Sequence, residues 1–64
     1  MSRRPVRVEL YEDTAHEWRW RAVAANGKTV ADSAEGYVEK RDALGEAWAL
    51  FGETVTYSTQ ALEP

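Results

Sequence analysis

From Pro5 to Tyr11 apolar and polar residues alternate, with Val6, Val8 and Leu10 on one side of the chain and Arg7 and Glu9 on the other. This two-residue period predicts a half-buried strand. Glu12-Asp13-Thr14-Ala15-His16 is polar and rich in turn formers, so the chain is expected to reverse there. A second strand is predicted from Glu17 to Ala25, with Trp18, Trp20, Ala22 and Ala24 on one face and Arg19, Arg21 and Val23 on the other. Asn26-Gly27 follows at once. Both residues tolerate positive φ, which predicts a type I′ hairpin turn. A two-residue turn would place Ala25 opposite Lys28, Val23 opposite Val30 and Arg21 opposite Asp32. The last would be an opposite-charge pair contributing about 0.2–1 kcal/mol and opposing a register slip.

A third strand is expected from Lys28 to Ala34, with a turn at Gly36 and Tyr37 free to pack back on the sheet. Beyond it the period changes. Leu44, Ala47, Trp48 and Phe51 recur at helical spacing, and Ala43 and Leu50 widen their stripe, predicting a helix over Glu39–Phe51. Gly45 inside that helix costs about 1 kcal/mol against alanine and suggests a close approach to the sheet. Gly52 is placed to cap the helix end. Thr54-Val55-Thr56-Tyr57-Ser58-Thr59 is β-branched or aromatic at most positions and predicts a short last strand. The expectation is an α+β fold of order β-β-β-α-β, an antiparallel sheet packed on one helix. Residues 5–59 form the domain, between tails at residues 1–4 and 60–64.

Size bears on how such a unit is stabilised. A chain of 64 residues buries too little surface for a generous core, and small domains usually add a disulfide, a metal or a second subunit. Cysteine is absent and His16 is the one histidine, so disulfides and soft-metal sites are not expected. A homodimer becomes the leading expectation, with no cofactor. The net charge of −3 provides no general attraction for phosphate backbones or anionic lipid. No apolar run approaches the roughly 20 residues of a membrane helix, and no apolar signal segment follows the basic start, so a cytoplasmic location is the expectation.

Candidate chemistry is sparse. His16 stands among Glu12, Asp13 and Glu17 and could imitate a weak cation site, but a solvated turn explains it better. One histidine can serve at most one nucleophilic site, and no phosphate loop, nucleophile elbow or metalloprotease spacing occurs. The chain is therefore expected not to be an enzyme, with no catalytic and no metal-binding residues. Trp18-Arg19-Trp20-Arg21 invites a nucleic-acid reading. Strand alternation divides it, however, sending the rings to one face and the guanidiniums to the other. Arg19, Arg21, Val23 and Val30 make up the candidate binding face, for a protein or small ligand first and for nucleic acid as the alternative.

Four pieces in order, Val8-Glu9-Leu10-Tyr11-Glu12-Asp13, Glu17-Trp18-Arg19-Trp20-Arg21, Ala25-Asn26-Gly27 and Glu35-Gly36-Tyr37 with Lys40 and Ala43, resemble the YegP-like proteins. These are small bacterial and archaeal proteins carrying a domain of unknown function, and the resemblance covers about residues 6–50. It implies a unit of three strands, a helix and a strand. It also implies that two units join into one continuous sheet and exchange their last strands. For this chain that means a homodimer with Thr54–Thr59 crossing to the partner. Trp48 and Phe51 are larger or less polar than the family pattern leads one to expect. With Val55 and Tyr57 they are the expected dimer interface. The resemblance brings no catalytic residues.

Overall fold

The computed structural model describes residues 4–60. Strands β1 (Pro5–Glu12), β2 (Trp18–Ala24) and β3 (Thr29–Asp32) precede helix α1 (Lys40–Phe51), a 3₁₀ turn (Gly52–Thr54) and strand β4 (Thr56–Thr59). They form one four-stranded sheet of order β3-β2-β1-β4, with α1 packed on one face. The expected α+β fold and element order are what the chain adopts. The expected tails fall mostly on residues 1–3 and 61–64, outside the described residues. Gln60 extends the ladder of β4, its N–H donating to Leu10 O at 2.7 Å.

Two expectations about the sheet need correction. It is mixed rather than antiparallel, because β4 runs parallel to β1, pairing Arg7 with Thr56 through Leu10 with Thr59. The helix carries the chain back across the face, so the strand after it has the direction of β1 and β3. In this structure Thr56–Thr59 closes on its own chain's β1, where the resemblance implied an exchange with a partner. The 3₁₀ turn makes the reversal. Gly52 caps α1 at φ 56°, donating its N–H to Trp48 O, and Tyr57 Oη donates back to Gly52 O at 2.8 Å.

The second correction concerns the Asn26-Gly27 hairpin. Gly27 N–H donates to Ala24 O and Ala24 N–H to Lys28 O, both at 2.9 Å, and of the two turn residues Gly27 alone has positive φ. The loop is thus three residues with a left-handed glycine at its end, not a type I′ pair. Lys28 lies opposite Ala24, and Val23 pairs with Thr29 instead of Val30. Val30 is the extra residue of a bulge that restores the expected register at Ala22 with Ala31 and Arg21 with Asp32. A matching bulge at Val6 lies on the other flank of β2. Bulges sharpen twist and bend the sheet locally. Val23, between the two, is only 2% exposed.

The core is small. Val8, Leu10, Trp20, Ala22, Ala43 and Ala47 are buried together, with Trp18, Tyr37, Leu44, Phe51, Val55 and Tyr57 partly buried around them. Two alanines on α1 let the helix lie close to the sheet, and the Trp20 ring meets Phe51 edge-on at 5.6 Å. Trp20 Nε1 donates to Glu46 Oε1 at 2.8 Å, so the indole satisfies its polar atom at the core edge. Gly45 meets nothing within 4 Å of where a Cβ would sit, so its expected role in a close approach falls away. The close approach is instead at Gly36, where an added Cβ would stand 2.7 Å from the Glu17 Cβ. That contact lets Tyr37 bridge Trp18 in an isolated antiparallel pair. Leu50, expected in the helix stripe, is exposed.

Candidate binding face and sheet edge

The face away from α1 is built from β1 and β2 positions that alternate with the core. Arg7 Nε donates to Glu9 Oε2 at 2.8 Å and Arg21 Nε donates to Glu9 Oε1 at 2.7 Å, so one carboxylate holds two guanidiniums. The Arg21 guanidinium also lies over the Tyr11 ring, 4.8 Å from its centre. Farther along, Arg19 Nε donates to Asp13 Oδ2 at 2.6 Å. The two bonds from arginine hold the Glu9 carboxyl below its usual range, the one from Arg21 contributing most. Asp13 is lowered too, first by Arg19 and then by the Glu17 and Ala15 amides that its Oδ1 accepts from at 2.9 Å.

This arrangement changes the reading of the expected binding face. Arg19 and Arg21 do share it, but each is bound to a carboxylate. Asp32 remains opposite Arg21 in register, while the guanidinium turns to Glu9. Arg7, Arg19 and Arg21 are balanced by Glu9, Asp13 and Asp32, so the face as a whole offers no field for a polyanion. Val23 is buried and therefore not part of it; Val30 is exposed, but it is not Val23's partner. Sequence reasoning missed Glu9 as the hub. The signal was present in the alternation, which put Arg7, Glu9 and Arg21 on one side, but the partner of each depended on the β1–β2 register.

The turn at Asp13–Glu17 is held by that same aspartate. His16 sits in it at φ 63°, exposed, with Nδ1 3.8 Å from Glu12 Oε2. Among the described residues no group of three or more histidine, aspartate or glutamate side chains is placed to hold a metal ion. No helix there is long and apolar enough to cross a membrane.

The second feature is the β4 side of the sheet. Trp48 is 50% exposed, and its ring lies 5.6 Å from that of Tyr57. Phe51, Val55 and Tyr57 are partly buried against the chain's own core, so of the four expected interface residues Trp48 is the one with most surface left open. Gln60 N–H points to β1. By the two-residue period of a strand, Tyr57 and Thr59 then turn their amides to the outer edge.

No curated protein matches this chain. A solved structure does, a protein from Haloferax volcanii determined by NMR in solution. It is 32% identical, covers 89% of this chain and 92% of its own length, and superposes with a TM-score of 0.60. A family model described as "Domain of unknown function (DUF1508)" matches residues 13–46, from the Asp13 turn through the first half of α1. On that match, which spans more than half of the chain, this protein belongs to the DUF1508 family.

Proposed function

We propose that the domain is a cytoplasmic, non-enzymatic binding module that works as a homodimer joined along β4. The observation that carries this reading is the half-exposed Trp48 standing beside an edge strand with no charge on it. An open, uncharged edge is a template for pairing, and proteins that keep edges apart use charges, prolines or bulges to do so. β3, the other edge, has a bulge at Val30 and ends at Asp32, with Lys28 just before it. β4 has none of these devices. The difference favours closed pairs over open-ended chains, since only one edge of each subunit is prepared for pairing.

Two β4 strands running antiparallel across a two-fold axis would give an eight-stranded sheet and bring two Trp48 rings near the seam. Exposed tryptophan is enriched at the energetic centres of protein interfaces. Sedimentation equilibrium at micromolar concentration tests the reading directly. The expected species has twice the mass of the chain. Thr59→Pro, which removes an outward N–H and leaves the bonds to β1 intact, should give a folded monomer. A folded wild-type monomer at 7.2 kDa would end the dimer proposal.

A further inference from the structure

Glu9 does something unusual for an exposed sheet face. Its carboxylate is shared between guanidiniums from two strands, one on each oxygen, and its side chain is only 12% exposed against 43% for Arg7 and 41% for Arg21. The acid lies low between two arginines that stand above it. Each guanidinium reaches it through Nε. Of the five N–H donors on an arginine, those at the far end of the plane remain for another acceptor. The three charges sum to +1, a local excess, while the rest of the face, Arg19 with Asp13 and Asp32, sums to −1. Arg21 is further fixed by the Tyr11 ring beneath it, so little side-chain freedom is left to lose on binding.

The neighbouring strand supplies hydroxyls. Thr56 is the register partner of Arg7 and Ser58 that of Glu9, so both stand on the same face as the guanidinium pair. One arginine fork matches carboxylate and phosphate alike, but two forks from different strands with hydroxyls beside them can engage more oxygens than the two of a carboxylate, as a phosphate provides. We propose that Arg7 and Arg21, held by Glu9, form a clamp for one phosphate monoester group. A polyanion is disfavoured by Asp32, which stands opposite Arg21 in register and leaves the face as a whole neutral, while a single small oxyanion meets the local excess. This inference rests on the reading of the domain as a binding module but not on its dimerisation. Dimers that bind no phosphate would overturn it alone.

The test is a ¹H–¹⁵N NMR titration of the whole chain at low ionic strength, with side-chain arginine signals observed. The probes are inorganic phosphate, a phosphoserine peptide, acetate and an oligothymidylate. Saturable shifts at Arg7, Arg21, Thr56 and Ser58 with phosphate and the phosphopeptide, and weaker ones with acetate, are expected. Arg21→Gln should weaken binding by about tenfold or more, the usual cost of losing a hydrogen bond to a charged group. Arg7→Gln, which leaves Arg21 bound to Glu9 and over the Tyr11 ring, should weaken it similarly. Non-saturating shifts, or equal shifts at Arg41 on the helix, would mean an adventitious ion only and overturn the proposal. So would acetate binding as tightly as phosphate, or binding of the oligonucleotide alone.

Discussion

At the scale of single residues the least comfortable position is His16. A non-glycine residue at φ 63° brings Cβ against the following carbonyl, costing about 1–2 kcal/mol. His16 is exposed and its nearest charged neighbour, Glu12, is 3.8 Å away, an ion pair worth little at the surface. His16→Gly is therefore expected to stabilise the domain by about 1 kcal/mol, less glycine's greater freedom in the unfolded chain. A higher urea midpoint with unchanged m-value would be the readout; a lower one would mean that the imidazole itself matters. The polar run at 12–16 made the turn legible in the sequence. Which residue took the left-handed position was not, because Asp13 decides it by accepting the Ala15 and Glu17 amides and fixing the loop's path.

At the scale of elements, strand alternation correctly separated the Trp18/Trp20 face from the Arg19/Arg21 face, since that division depends only on the pleat. The hairpin register was less legible. Asn-Gly permits more than one turn, and the choice of a three-residue loop shifted Val23 from Val30 to Thr29 before the bulge restored the pairing. The ion pairs across β1 and β2 give these elements a measurable pH response. Glu9 and Asp13 both have carboxyls lowered in the folded state, so the unfolded chain binds more protons as acid is added. Their contribution is fully present above the ordinary carboxylate range and is lost as pH falls through it toward the lower folded values. Denaturation curves from pH 6 to pH 2 should show stability falling on that limb. Glu9→Gln and Asp13→Asn should each flatten the fall while lowering stability at pH 6. An unchanged acid limb in both variants would separate these pairs from folding.

At the scale of the whole molecule the question is how so small a core suffices. Only eight apolar side chains among the described residues are buried, three of them β-branched or leucine and four alanine. The helix pattern did not show that Leu50 and Trp48 would stay open, because a 3.6-residue stripe says which residues share a face but not how far the sheet extends beneath it. Here the sheet reaches one flank of α1 through β4, where Trp48 leans on Tyr57, and leaves the outer surface of that ring uncovered. If a second copy covers it, part of the stability belongs to association, and by mass action the melting temperature must rise with protein concentration. Trp48→Lys separates the two contributions. Tyr57 keeps its bond to Gly52 O in that variant, so the monomer should still fold. A buried interface tryptophan is worth about 2 kcal/mol or more, so the dimer should weaken by at least about thirtyfold. Melting followed by circular dichroism from about 5 μM to 500 μM should give a rising Tm for the wild type. For Trp48→Lys it should give a lower, flat one. A wild-type Tm independent of concentration, at a value the variant shares, would mean that the β4 edge and Trp48 are surface for some other partner and that the core of one chain is enough.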